Sequence, residues 1–243
     1  MRETMGDRRI LVVGASSGIG AAVAELCCAL GARVVITARR AERLASVVSG
    51  IPGAHAIAGD ASIERDAHRI VDEAVATLGW LDAVVYAVGA SPLISMSDAK
   101  QADWRAVFDT NVIGAAIVSA AAAPHLLATG GRLVVLSSKA VRQPWPDLSL
   151  YTTSKVALDG LLRCLPVEFP GLRVTRVVVG NTGGTDFTSQ WDPDALTAAI
   201  DRWTAAGVLG ATGTMAPADV AATIVHVLES PAHVDDVAVI DVP

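Results

Sequence analysis

Ile10-Leu11-Val12-Val13-Gly14-Ala15-Ser16-Ser17-Gly18-Ile19-Gly20 reads as a short β-prone run, a glycine-rich turn and the start of a helix that continues to about Leu30. Each part has a physical use. Glycines let the backbone come close to a pyrophosphate, and a helix N-terminus offers unpaired amides and a favourable dipole to an anion. A glycine-rich turn alone is weak evidence, because glycines also make ordinary turns, but the strand before it and the helix after it supply the context that a dinucleotide site needs.

A second strand is expected over Arg33 to Thr37, and the residues just past it select the dinucleotide. Acidic side chains there accept bonds from the ribose 2′-hydroxyl and repel a 2′-phosphate. This chain has Ala38-Arg39-Arg40 instead. An arginine grips a phosphate through charge-assisted, often bidentate bonds, so the expectation is NADP(H) rather than NAD(H).

From there β and α signals alternate. A strand is expected near Ala54 to Ala58, a helix from about Ile63 to Leu78, a strand from Leu81 to Val88 and a long helix from about Ser97 to Ala128. A β-run at Arg132 to Leu136 ends in Ser137-Ser138, and a strand at Leu172 to Val179 leads into Gly180 to Phe187. The segment 188–213 has no clear period and reads as a lid; Pro217 starts a helix to about Glu229, and Val237 to Val242 reads as the last strand. This rhythm implies an α/β fold, a doubly wound Rossmann-type parallel sheet of about seven strands with helices on both faces.

The 243 residues, 52% hydrophobic and 18% charged, suffice for one large core and are few for two, so residues 1–243 are expected to form a single domain. A net charge of −6 argues against general affinity for nucleic acid or an anionic membrane, which leaves small molecules as the expected partners. Cys27, Cys28 and Cys164 imply no disulfide framework, and Met1 to Arg9 does not resemble a secretory signal; a cytoplasmic setting is the default expectation. The apolar run Val112 to Ala128 carries Ser119, Pro124 and His125, is short for a membrane span, and reads as a buried or interface helix. His55, His68, His125, His226 and His233 show no metal-ligand spacing, so no metal is expected.

Tyr151-Thr152-Thr153-Ser154-Lys155 places a phenol and an ammonium one turn apart on a helix face. At roughly 4 Å and an effective dielectric near 20 their attraction is about 4 kcal/mol, enough to pull the phenol well below its ordinary pKa of about 10. The expectation is a Tyr151 that carries protons near neutrality.

In this order the glycine turn, Asn111 in Asn-Val-Ile-Gly, Ser138, Tyr151 and Lys155 resemble the compact branch of the short-chain dehydrogenase/reductase family over nearly the whole chain. The resemblance implies that Tyr151 gives or takes the substrate proton, Ser138 holds the carbonyl or alcohol oxygen, and Lys155 tunes the phenol and binds the nicotinamide ribose. It implies that Asn111 helps to position a water behind the lysine. It also implies a cofactor site of Gly14, Ser16, Ser17, Gly18, Ile19 and Gly20 at the pyrophosphate, Arg39 at the 2′-phosphate, and Asp60 and Ala61 at the adenine. Gly89, and Thr185 near the nicotinamide amide, complete it. The expected activity is NADP(H)-dependent interconversion of a carbonyl and a secondary alcohol; the alternative is a dinucleotide-binding sensor or scaffold without catalysis.

Departures from the family pattern stand out. Tyr86-Ala87-Val88-Gly89 keeps only the glycine of Asn-Asn-Ala-Gly, with Tyr86 as a core replacement; Val179-Gly180 replaces Pro-Gly; and Asp241-Val242-Pro243 replaces a Gly-Gly. Trp191, Trp203, Val208 and Leu209 in the lid, with Trp145 and Leu148 before Tyr151, suggest a neutral, partly apolar substrate. The alanine-rich helix near Asp103 to Ala128 and the Tyr151 helix are expected to pack against symmetry mates in a homodimer or homotetramer.

Overall fold

The computed structural model describes residues 5–208 and 213–240. Within them, seven parallel strands form one sheet in the order β3-β2-β1-β4-β5-β6-β7. The strands are β1 (Arg9–Val13), β2 (Arg33–Ala38), β3 (Ala54–Ala58), β4 (Ala83–Tyr86), β5 (Arg132–Ser138), β6 (Arg173–Val179) and β7 (Asp236–Val239). Strand order reverses between β1 and β4, which opens a crevice at the carboxyl ends of these strands. The doubly wound expectation therefore holds.

Alternation along each strand builds the two cores. Leu11, Val13, Val84, Tyr86, Leu133 and Val135 face α3 (Glu64–Leu78), α5 (Gly114–Thr129) and α6 (Ser149–Glu168). Their neighbours Ile10, Val12, Ala83, Val85, Val134 and Leu136 face α1 (Gly18–Ala29), α2 (Ala41–Ser49) and α8 (Pro217–Glu229). Both faces of the central strands are covered, which is why they read as unbroken apolar runs.

Four boundaries differ from the sequence reading. The fourth strand ends at Tyr86, because its partners Val13 and Val135 stop pairing there and residues 87–89 turn over the crevice. The long helix starts at Gln101 and is divided by a π-helical turn, Asp109–Ile113, into α4 (Gln101–Phe108) and α5. The segment 188–213 contains an ordinary helix, α7 (Pro193–Ala205), started by Asp192, whose carboxylate accepts from Ala195 N at 2.9 Å. Its period was masked by alanines on several faces, and Leu209 and its neighbours 210–212 lie outside the described residues. The last strand is Asp236–Val239; Asp241-Val242-Pro243 also lie outside them.

The run Gln101–Thr129 is long and apolar enough, by length and composition, to cross a membrane. In the fold it is a layer of the core, with Ala115, Val118, Ala122, Ala123 and Leu126 fully buried. Tyr86 is a core residue, as expected: it is 1% exposed, and its hydroxyl donates to Thr110 O at 3.0 Å inside the π-helical turn.

Candidate active site

Ser138 is the last residue of β5, and Tyr151 lies in the first turn of α6, so both side chains meet at the carboxyl end of the sheet. Ser138 Oγ accepts from Ala140 N at 3.2 Å, and its hydroxyl also hydrogen-bonds the Tyr151 phenol. The serine thus caps its turn and touches the proton carrier at once. Thr152 N bonds Leu148 O at 2.8 Å and anchors the first turn of the helix.

Lys155 arrives one turn later but does not reach the phenol. Its Nζ donates to Leu136 O at 2.8 Å and stands 5.9 Å from the centre of the Tyr151 ring. The expected lowering of the phenol is accordingly corrected. Burial pushes Tyr151 up to about 12, and the Ser138 hydrogen bond is what draws it back down. Burial also lowers Lys155 to about 8, against the raising influence of Asp159 one turn further along α6. Helical spacing put the two groups on one face, but the lysine tip bonds a backbone carbonyl of β5 instead.

Asn111 is fully buried in the π-helical turn. Its Oδ1 accepts from Ala90 N at 2.7 Å, while Nδ2 donates to Ala90 O at 2.9 Å and to Ser154 Oγ at 2.9 Å. The side chain therefore joins the loop after β4 to α6, holding Gly89 and Lys155 in place. Ser154 passed unnoticed in the sequence, although its position between Tyr151 and Lys155 in the same turn was a usable signal. Gly114 is required by this packing: a Cβ there would lie 2.8 Å from the Tyr86 hydroxyl and 3.0 Å from Ala61 O.

The glycine turn runs below the same crevice. Gly14 and Gly18 have φ of +90° and +58°, the left-handed region that favours glycine, and a Cβ on Gly20 would lie 2.2 Å from Gly14 O. Ser16, Ser17 and Ile19 line the crevice beside them, as do Asp60, Ala61, Gly89 and Thr185. Asp60 is also a turn former, its Oδ1 accepting from Ser62 N at 2.9 Å and Ser62 Oγ at 2.7 Å. Arg39 reaches only to 3.9 Å from Asp60 Oδ2 and is largely exposed. Arg40 turns inward, donating to Ser16 Oγ at 3.0 Å and to Asp186 Oδ2 at 2.6 Å, and Arg43 bonds the same carboxylate oxygen. Arg43 and Asp186 were not among the expected site residues; the i, i+3 spacing of Arg40 and Arg43 on a helix was their one sequence signal.

A chain of edge-on aromatic contacts closes the crevice above Tyr151. Phe187 stands 5.0 Å from Tyr151, Trp191 stands 5.7 Å from Phe187 and 6.1 Å from Trp203, and Trp203 stands 5.1 Å from Trp145. Trp191 Nε1 donates to Ser91 O at 2.6 Å and Trp203 Nε1 to Pro146 O at 2.7 Å, so the indoles are fixed in direction. Trp203 is 5% exposed and packs mainly into the protein; Leu148 and Ala199 are its buried neighbours.

The crevice has a volume of about 1060 Å³ and runs unbroken from the glycine turn to Ser138 and Tyr151. That is the upper end of the range for small-molecule sites and room for a dinucleotide with a small second ligand. The buried hydroxyls Thr37 Oγ1 and Ser91 Oγ belong to lining residues and have no partner among the described residues. A glycine cradle that admits no Cβ, arginines just past β2 and lining hydroxyls open to a ligand fit a nicotinamide dinucleotide.

Comparison with known proteins agrees in fold. The family model described as short chain dehydrogenase matches residues 8–196. The glycine betaine reductase of Emericella nidulans is 32% identical over 231 residues, 92% of this chain and 18% of that protein. The 11-beta-hydroxysteroid dehydrogenase A of Sesamum indicum is 32% identical over 185 residues, 73% of this chain and 53% of that one. This chain thus spans about half or less of these curated relatives. Among solved structures, a short chain dehydrogenase from Burkholderia cenocepacia in complex with NADP superposes with a TM-score of 0.81 at 31% identity, covering 98% of both chains. An alcohol dehydrogenase from Thermococcus sibiricus complexed with 5-hydroxy-NADP has a TM-score of 0.82 at 20% identity, covering 96% of this chain and 95% of that one, a likeness of fold.

Proposed function

Since the chain belongs to the short-chain dehydrogenase family, we propose that it is an NADP(H)-dependent oxidoreductase interconverting a carbonyl and a secondary alcohol. The observation that carries this reading is the hydrogen bond between Ser138 and a buried Tyr151 in the same crevice as the glycine turn. Gly14 to Gly20, Asp60, Ala61, Gly89 and Thr185 would hold the dinucleotide, with Arg39, Arg40 and Arg43 at its 2′-phosphate. A bound nicotinamide would supply or take the hydride. Ser138 orients the substrate oxygen toward Tyr151, and Tyr151 gives up its proton as that oxygen gains charge. Burial opposes the phenolate that remains, and the Ser138 bond opposes that penalty. Asn111 acts on this site by holding the loop at Ala90 and the turn at Ser154.

Support for the NADP(H) preference comes from three arginines at the end of β2 and the start of α2 and from the NADP complex of the Burkholderia relative. Titration should show NADPH binding at least about tenfold tighter than NADH, the size of one charge-assisted phosphate contact, and Arg39→Asp should erase the preference. The substrate is proposed to be neutral and partly apolar, because Trp145, Leu148, Trp191 and Leu196 line the crevice beside Tyr151. A cytoplasmic setting is part of the same proposal.

The test is Tyr151→Phe assayed with NADPH against ketones, aldehydes and quinones. Turnover should fall about two to four orders of magnitude with nucleotide affinity retained. Wild-type turnover by the variant would falsify the assignment.

A further inference from the structure

The turn that follows β6 lies across the crevice and touches all three of its stations in consecutive residues. Thr185 sits on the glycine turn, its Cγ2 only 3.0 Å from where a Cβ on Gly18 would be. Asp186 projects its carboxylate between Arg40 and Arg43 and also bonds Ser17, while Arg40 holds Ser16. Phe187 lies edge-on against Tyr151. Asp186 and Phe187 belong to one short 3₁₀ turn, Asp186–Thr188, capped by Thr185, whose Oγ1 accepts from Phe187 N at 3.4 Å and ties the three together.

Two guanidinium groups and the Ser17 hydroxyl around one anionic group make a phosphate site, since arginine donors match carboxylate and phosphate alike. A carboxylate already on these donors and a 2′-phosphate needing the same donors exclude each other by charge and by space. We infer that Asp186 is a specificity-determining residue: its carboxylate competes with the 2′-phosphate of the cofactor for Arg40 and Arg43. Filling of that site by phosphate lifts the turn and takes Phe187 off Tyr151. This rests on the NADP(H) reading above. It makes the 2′-phosphate the part of the nucleotide that takes Arg40 and Arg43 from Asp186 and so frees the phenol. The acidic group that selects between dinucleotides is thus supplied from the turn after β6, 146 positions along the chain from Arg40, and not from the end of β2.

Calorimetric titration of wild type and Asp186→Asn with 2′,5′-ADP and with 5′-AMP, which lacks the 2′-phosphate, tests this directly. Asp186→Asn should bind 2′,5′-ADP about tenfold tighter with 5′-AMP unchanged, the gain expected from removing one charged competitor. Adding Arg43→Gln should abolish that gain. As a second readout, 2′,5′-ADP should change the tryptophan emission of the wild type, since Trp191 packs on Phe187, and Asp186→Asn should show part of that change without nucleotide. Unchanged or weaker binding of 2′,5′-ADP by Asp186→Asn, while the wild type still prefers 2′,5′-ADP to 5′-AMP, overturns the inference and leaves the cofactor reading intact. A loss of 5′-AMP affinity in the variant overturns it too, because Asp186 would then be reading a 2′-hydroxyl. A wild type that does not discriminate, beside a variant that does, keeps Asp186 as the competitor and removes the wild-type NADP(H) preference instead.

Discussion

A buried lysine is the most consequential single residue in the crevice, because it shows its charge state through stability. Lys155 has a folded pKa of about 8 against an ordinary value of 10.5, lowered by burial. A depressed pKa means that the unfolded chain holds more protons than the folded one between those values, so stability attributable to this group rises with pH across them. Below pH 8 the ammonium is charged in both states and the fold carries its desolvation cost; above 10.5 it is neutral in both. Urea midpoints of wild type compared with Lys155→Met should therefore move in favour of the wild type from about pH 8 to 10.5 and run parallel outside that window. The comparison must be a difference, because Cys27 and Cys28, raised by burial to about 12 and 11, work in the opposite sense in both proteins. A pH-independent gap between the two would show that Lys155 is not titrating in the folded state.

At the scale of elements, the π-helical turn between α4 and α5 is where the fold spends hydrogen bonds to shape the site. Such turns insert one residue into a helix and recur at functional sites. Here the extra residue lets Asn111 point into the interior, with Ala90 and Ser154 as its partners. Asn111→Ala strands these groups and should cost about 2–4 kcal/mol in denaturant unfolding, against about 1 kcal/mol for Tyr86→Phe, which loses only the bond to Thr110. Equal costs for the two would mean that the turn does not depend on the asparagine amide. A second element is held by a buried cation: Arg132, the first residue of β5, donates to Val227 O and to Ser230 O at 2.6 Å at the carboxyl end of α8. A cation there satisfies end carbonyls and complements the helix dipole. Arg132→Leu should cost about 2 kcal/mol, with loss of amide protection concentrated in α8 by hydrogen exchange.

For the whole molecule, the layer made by α4, α5 and α6 leaves an apolar outer surface. Ile113, the last residue of the π-helical turn, and Leu127 near the end of α5 are exposed, and Val156 and Val167 on α6 are 47% and 77% exposed. Within each pair the separation is close to a whole number of turns, so each pair shares a helix face. We propose that this surface packs on its counterpart in a second copy, giving the homodimer or homotetramer expected from the sequence. Sedimentation should show a species at twice or four times 25.0 kDa, and Val156→Glu with Ile113→Glu should shift it to the monomer. A wild type that sediments as a monomer at micromolar concentration would overturn this.

Much of this protein was legible in the chain itself. Parallel strands buried on both faces are apolar throughout, glycines mark the turn where the backbone must accept positive φ, and Ser138, Tyr151 and Lys155 keep a spacing that strand and helix geometry convert into proximity. Those are local properties, carried by residue type and period. What only the tertiary structure decided are the contacts between distant segments. Helical spacing set Tyr151 and Lys155 on one face, but the lysine bonds β5 and the phenol is governed by burial and by Ser138. Likewise Arg39-Arg40 announced an anion site, yet the arginines that close it are Arg40 and Arg43, and the group between them comes from the far side of the sheet. Desolvation depends on everything packed around a group, and an ion pair on where two remote segments cross, and neither is encoded at a single position or spacing.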